Sequence, residues 1–154
     1  MRRKDREISN ISDIESVIKS CDVCRIAFAN DNIPYIVTMN FGFSGGETPY
    51  IYFHGASSGR KFDMLRRNNY VCFEMDTDHE LYGGETGCDW GMNFRSVVGY
   101  GYITIVEDPV ERKKGLDHIM HHYTGRKDFR YDEKTMRGTC VLKLSVMEMT
   151  GKKR

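Results

Sequence analysis

A turn of small residues followed by two cations is the part of the sequence best suited to bind an anion. It reads Ser57-Ser58-Gly59-Arg60-Lys61 and lies between a predicted strand and a predicted helix. Small residues let the backbone approach a ligand closely, and the N–H groups at the start of a helix favour negative charge. Two hydroxyls and two positive charges could balance a phosphate monoester. The alternative is a plain capped turn with exposed basic residues.

Cysteine and histidine form two further patterns that could carry chemistry. Cys21-x-x-Cys24 has the spacing of a zinc-binding pair or a redox dithiol. His118, His121 and His122 have a helical spacing that permits shared coordination. The sequence contains neither a second C-x-x-C pair nor an H-E-x-x-H motif. We therefore expect no metal site, because core thiols and a solvated helix face explain both patterns.

Aromatic residues are dense on two neighbouring predicted strands. Most of them should fill a core, although a planar cofactor could bind where a small barrel opens. They are Phe41, Phe43, Tyr50, Tyr52 and Phe53, with Trp90 and Phe94 near a long predicted loop.

Six β-rich runs must position these residues. Two of them are joined by a hairpin loop at 44–48, and residues 77–92, with four glycines and no regular period, predict a long functional loop. Short connections between consecutive strands indicate an antiparallel barrel with helices outside it, not a doubly wound parallel sheet. The predicted strands cover 23–29, 34–43, 49–54, 70–75, 93–107 and 139–149.

Three helices are predicted around the barrel. A capping box at 12–15 starts the first helix, and residues 60–67 form a short second helix. The third helix has Asp108 as its N-cap and Pro109 in its first turn, and Gly125 suits its C-terminal cap.

Composition favours a single globular domain and excludes several classes of function. The 154 residues contain 23 Lys+Arg and 22 Asp+Glu, and this net charge of +1 weighs against a dedicated nucleic-acid binder. We find no secretory signal and no membrane-spanning run. Five unevenly spaced cysteines do not form a disulfide framework, which indicates the cytoplasm. We expect one domain over 1–154, with residues 1–10 as an N-terminal arm.

Several short segments, spread over nearly the whole chain, form an ordered set of motifs. They are 34–39 (PYIVTM), 51–56 (IYFHGA), 59–61 (GRK), 94–101 (FRSVVGYG) and 150–152 (TGK). In this order they resemble the pyridoxamine 5′-phosphate oxidase-like superfamily, and more closely its nitroimidazole-reductase-like branch. The C-terminal Trp and Arg motif of the true pyridoxamine phosphate oxidases is absent, so the resemblance does not imply vitamin B6 oxidation.

The resemblance implies a mainly β fold, a six-stranded antiparallel split barrel, with FMN bound at the interface of a homodimer. Lys61, Arg60 and Ser58 would hold the phosphate. His54 is the expected catalytic residue, facing the substrate or donating a proton; the alternative is a buried histidine bonded to backbone. Trp90 is expected near the flavin, supplied either by the same subunit or by the second one. The implied cofactor-binding set is Ile36, Val37, Thr38, Met39, Asn40, Phe53, His54, Ser58, Arg60, Lys61, Trp90 and Ser96.

The leading functional hypothesis is an FMN-dependent oxidoreductase. It would reduce a small acceptor, such as a nitroaromatic compound, with electrons from a reduced nicotinamide. Because no G-x-G-x-x-G motif follows a strand, NAD(P)H would bind only transiently over the exposed flavin face. One alternative is a non-catalytic flavin- or haem-binding barrel with His54 or the histidine-rich helix as haem ligands. Another is a structural protein with an empty pocket.

Overall fold

The computed structural model describes residues 3–154, apart from the side chains of Glu133 and Arg137, and in that range it holds eight strands, four α-helices and two short 3₁₀ helices. The first two residues of the predicted N-terminal arm lie outside the described residues. The strands are β1 (Glu7–Ile8), β2 (Cys24–Asn30), β3 (Ile33–Met39), β4 (Phe41–Ser44), β5 (Tyr50–Gly55), β6 (Tyr70–Tyr82), β7 (Gly91–Ile105) and β8 (Cys140–Lys153). The helices are α1 (Ile11–Ser20), α2 (Arg60–Arg67), α3 (Pro109–Thr124) and α4 (Glu133–Gly138).

One antiparallel sheet, in the order β3-β2-β6-β7-β8-β5-β4 with β1 on β8, forms the body of the molecule. Alternate side chains of its strands point to a common core, as Ile26 of β2, Phe73 of β6 and Leu144 of β8 show by being fully buried. This alternation follows from the period of two in a β-strand. The predicted antiparallel β class is therefore confirmed.

The barrel is split where β3 and β4 meet. These strands lie at opposite ends of the sheet order, yet only Asn40 separates them in sequence. The backbone N–H of Phe41 donates to the Tyr123 hydroxyl, which donates to the Asp22 carbonyl. The Tyr123 side chain thus bridges β4 and the segment before β2 at the split. The predicted count of six strands is wrong because the run 34–43 divides here and β1 adds a short pair.

The hairpin formed by β6 and β7 is longer than the sequence predicts. We expected a loop over 77–92, but only residues 83–90 separate the two strands. A bulge between Thr77 and Glu80, with Asp78 at φ 57°, interrupts their register. This part of the hairpin is mostly exposed, so it lacks the apolar alternation that reveals a buried strand.

Helix α1 covers one opening of the core with Ile14, Val17 and Ile18. Its N-cap is Asn10, whose side-chain oxygen accepts from the Ser12 N–H, so the predicted capping box is displaced. The Glu15 carboxylate is then free of the cap and accepts from the Gly46 N–H in the loop between β4 and β5. A side chain thus ties the first helix to the predicted hairpin loop.

Helix α3 lies directly on β4 and β5. A Cβ atom on Gly42 would lie 2.3 Å from the backbone of His118, and one on Gly115 would lie 2.8 Å from the Tyr52 ring. The two glycines permit this close approach. The predicted caps are confirmed: Asp108 accepts from the Glu111 N–H, and Gly125 adopts φ 71°.

No helix among the described residues is both long enough and apolar enough to cross a membrane.

Candidate functional site

The phosphate-binding turn predicted from sequence connects β5 to α2. Gly59 precedes the helix at φ 109°, a conformation that an L side chain rarely adopts. Ser57 and Ser58 are exposed, and no side chain that the structure describes caps α2. The helix begins at Arg60, and the Phe62 N–H donates to the Gly59 carbonyl. Among the described residues, the two serine hydroxyls and the N–H groups of Arg60 and Lys61 therefore remain available to a ligand.

Arg60 and Lys61 bring two positive charges to this turn. The Arg60 guanidinium carbon lies 4.6 Å from the Tyr35 ring centroid, so the side chain rests on β3. Lys61 is half-buried beside β5, and a Cβ atom on Gly55 would lie 3.1 Å from its Nζ atom. Neither cation forms an ion pair with any side chain that the structure describes, whereas Arg66, one turn along α2, binds Asp63. Both charges can therefore neutralise an anion.

Strand β3 places its residues on two faces. Ile36 and Thr38 are exposed on the outer face of the barrel, and Val37 and Met39 point inward. The Met39 Cε atom would lie 3.8 Å from a Cβ atom on Gly55. The end of β3, the end of β5 and the start of α2 thus converge.

His54 and Phe53 lie on opposite faces of β5. The Phe53 side chain is fully buried in the core, so only its backbone can contact a ligand outside the barrel. His54 is exposed and lines a cavity of about 320 Å³ between β5, α3 and α4. His54 is therefore not the buried histidine of the alternative interpretation.

Ser96 and Trp90 both lie on the hairpin formed by β6 and β7. Ser96 pairs with Asp76 in the middle of that hairpin. Trp90 packs over Gly83 at its tip and is 54% exposed. Among the described side chains, neither residue forms a hydrogen bond or ring contact with the turn that carries Arg60 and Lys61.

The cysteines and histidines outside the turn have packing contacts. Burial raises the pKa of the Cys21 thiol to about 12 and that of Cys24 well above its ordinary value, so neither is a reactive thiolate. The His122 Nε2 atom lies 2.8 Å from the Cys21 carbonyl, and the His118 ring stacks on Tyr52. Burial lowers the pKa of His118 and favours its neutral form.

Comparison with known proteins places this geometry in a family. A sequence model described as pyridoxamine 5′-phosphate oxidase matches residues 11–153, which is nearly the whole chain. The chain belongs to the pyridoxamine 5′-phosphate oxidase family. The resemblance inferred from the ordered motifs is thereby confirmed at the level of the superfamily. Among curated proteins, no sequence matches the chain.

Solved structures share the fold of this family member over most of its length. A proposed 5-nitroimidazole antibiotic resistance protein from Bacteroides thetaiotaomicron VPI-5482 is 35% identical, with a TM-score of 0.82 over 95% of this chain and 85% of that one. Flavocytochrome Anf3 from Azotobacter vinelandii is 19% identical, with a TM-score of 0.80 over 100% and 72% of the two chains. An FAD and haem binding protein from Mycobacterium smegmatis is 12% identical, with a TM-score of 0.81 over 96% and 73%.

Sequence patterns did not reveal the residues that surround His54 in this pyridoxamine 5′-phosphate oxidase family member. Arg130 and Tyr131 line the cavity beside His54, and Arg112 holds the helix that closes it by donating to the carbonyls of Met136 and Thr139. These residues lie in or next to a polar, irregular stretch without a motif. A prediction of α4 could have revealed them, but this helix has only six residues, which is too short for a clear apolar period in the sequence.

Proposed function

We propose that this chain is an FMN-dependent oxidoreductase that reduces a small acceptor with electrons from a reduced nicotinamide. The observation that carries the proposal is the pair of cations, Arg60 and Lys61, that have no acidic partner among the described side chains and stand beside exposed serine hydroxyls. A nitroaromatic compound is the first candidate for the acceptor. The 35% identical protein from Bacteroides thetaiotaomicron, named for 5-nitroimidazole resistance, supports this choice.

The residues present fit the phosphate of FMN. Gly55 leaves open the space that a Cβ atom would take 3.1 Å from the Lys61 Nζ atom, so an anion can approach the ammonium group. Lys61 and Arg60 would supply the charge, and Ser58 would add a hydroxyl donor. A phosphate carries a charge of about −1.5 to −2 near neutral pH, which two cations balance.

Strand β3 would face the flavin ring. Its exposed residues Ile36 and Thr38 offer an apolar and a hydroxyl surface, and Asn40 is exposed at the split of the barrel. The backbone of Val37 and Met39 would add contacts there. Bound FMN would supply the two-electron redox chemistry, while the protein provides binding, orientation and electrostatics. His54 would hold or donate a proton on the acceptor side.

A second copy of the chain would complete the site. Apolar side chains lie exposed together on the outer face of the sheet, and the Tyr70 ring is 5.0 Å from Tyr102 and 6.1 Å from Tyr100. Contiguous apolar patches on a soluble protein mark interaction surfaces. A homodimer that buries this face would bring Ser96 and Trp90 of one subunit toward the turn of the other. The outer face comprises Ile36, Tyr70, Val98, Tyr100 and Tyr102.

The visible absorption spectrum of the purified protein, followed by FMN titration, tests the proposal. We expect either a flavin spectrum on isolation or stoichiometric FMN binding that raises the melting temperature. The bound flavin should be reduced by NADH or NADPH and reoxidised by a nitroaromatic compound. A colourless protein that gains no thermal stability with FMN would overturn the proposal. A haem spectrum would instead support a haem-binding barrel.

A further inference from the structure

The cavity beside His54 has the size and composition of a ligand site. It measures about 320 Å³, at the lower end of the range for small-molecule pockets. Strand β5 forms one wall, α3 the second, and α4 with the segment before it the third. Its lining residues are His54, Leu116, Ile119, Met120, Arg130, Tyr131, Asp132, Thr135, Met136 and Thr139.

Specific contacts hold the third wall in place. The Tyr131 hydroxyl donates to the Asp117 carboxylate at 2.9 Å, which fixes the segment before α4 on α3. At the other end, the Arg112 guanidinium donates to the carbonyls of Met136 and Thr139. Both ends of α4 are thus anchored to α3, so the cavity is a built feature of the fold.

The apolar walls and the polar rim select different parts of a ligand. Leu116, Ile119, Met120 and Met136 line an apolar interior, and the two flexible methionines can adapt to a flat ring. On the rim, the Asp132 carboxylate is engaged by the Thr135 N–H and hydroxyl.

Arg130 gives the rim its positive charge. It lines the cavity, is exposed, and forms no ion pair with a side chain that the structure describes. The nearby Asp117 carboxylate is already bound by Tyr131 and by Lys113 at 2.7 Å. Asp132 also lines the rim, but no described carboxylate forms an ion pair with Arg130. An anionic group at the mouth of the cavity would therefore meet a guanidinium that can bind it, and guanidinium groups bind carboxylates well.

We infer that this cavity binds the acceptor and that Arg130 selects acceptors with an apolar, flat body and one anionic end, of the aromatic carboxylate class. The inference rests on the proposed oxidoreductase function and extends it to the substrate. His54 lies at the wall shared with the cofactor site: the next residue, Gly55, adjoins Lys61. Thr139 also lines a second cavity of about 310 Å³ that reaches Ser57 on the phosphate turn.

Equilibrium dialysis with 4-nitrobenzoate and with nitrobenzene, which lacks the carboxylate, tests this inference. Arg130→Gln should raise the dissociation constant of 4-nitrobenzoate about 5- to 20-fold, the range expected for a partly exposed charge-assisted contact. It should leave nitrobenzene and FMN binding within about twofold. Met120→Trp should weaken both aromatic probes by filling the cavity. Lys127→Gln, at an exposed cation of the same segment outside this cavity, is the matched control.

Each result decides the inference. Equal weakening of both probes by Arg130→Gln, or no weakening by either variant, would overturn it. Weaker FMN binding in Arg130→Gln would also overturn it, by moving the arginine to the cofactor site. If FMN does not bind the wild-type chain, the proposed function fails by itself, and dialysis of 4-nitrobenzoate against the chain as purified still decides whether the cavity exists as a site. Arg130→Gln keeps the test valid should Met120→Trp fail to fold.

Discussion

At the scale of single residues, Lys61 is distinguished from the other cations of α2 by its surroundings. It is half-buried and points along β5, while Arg66 is exposed and paired with Asp63 at 3.2 Å. A charge-assisted hydrogen bond is stronger when the donor is partly desolvated and held in place. Two cations on one helix therefore differ: the proposed phosphate ligand Lys61 is half-buried, whereas Arg66 is exposed and bound to Asp63.

Lys61→Ala should weaken FMN binding by about 1.5–3 kcal/mol, or roughly 10- to 150-fold, because one charged phosphate contact is lost. Quenching of flavin fluorescence during titration measures the dissociation constant. Arg66→Ala on the same helix is the control and should change it less than about twofold. An unchanged FMN affinity in Lys61→Ala would remove this residue from the cofactor site.

At the scale of elements, one carboxylate of α3 contacts two strands of the sheet. Glu111 accepts from the Tyr52 hydroxyl of β5 at 2.8 Å and from the Lys143 ammonium of β8 at 2.7 Å. The Lys143 hydrogen bond is the main cause, and the Tyr52 hydrogen bond the second, of a lowered pKa for Glu111. Because α3 also forms a wall of the cavity, this contact helps to position the proposed acceptor site.

Glu111→Gln should lower the free energy of unfolding by about 1 kcal/mol at pH 7, since a partly exposed charge-assisted contact is lost. A lowered carboxyl pKa stabilises the fold above the unfolded value of about 4.3, and this stabilisation disappears as the pH falls through the folded pKa. The deficit of the variant should therefore shrink below about pH 4. Urea unfolding between pH 3 and 7 measures it, with the exposed Glu47→Gln as control. A deficit that does not change with pH would contradict the assigned contact.

At the scale of the whole molecule, the outer face of the sheet carries a group of exposed apolar side chains. Ile36 is 63% exposed and Tyr102 47% exposed on a face whose strands are otherwise well paired. Burying such residues is favourable at about 25 cal/mol per Å² of apolar area. The face therefore supports the proposed homodimer, in which one subunit would supply Trp90 and Ser96 to the other.

Tyr100→Asp should dissociate the dimer by placing a charge in an apolar interface, and FMN affinity should fall with it. Sedimentation velocity gives the mass, and flavin titration gives the affinity. Val110→Asp, at a residue 77% exposed in the first turn of α3, should leave both unchanged. A wild-type chain that sediments as a monomer and still binds FMN tightly would contradict the proposed interface.

Local signals in the sequence were enough for most of the fold. The caps at Asp108 and Gly125, the period-two runs of β2 and β8 and the short apolar run of β5 depend on neighbouring residues, so they can be read without tertiary structure. The division at Asn40 cannot be read in this way, because the run 34–43 keeps its alternation through both strands. Only the different pairing partners, β2 for β3 and β5 for β4, separate them.

The family, the antiparallel class and the turn that carries Arg60 and Lys61 could be predicted from the chain alone, since ordered motifs and small-residue turns are local features. Three features required the folded structure: the face of β5 that His54 occupies, the contact between Lys61 and Gly55, and the place of Arg130 in the cavity beside His54. Those juxtapositions arise from packing between elements distant in sequence. Spacing along the chain does not encode them, because His54 and Arg130 are 76 positions apart and line one cavity only through the packing of α3 and α4.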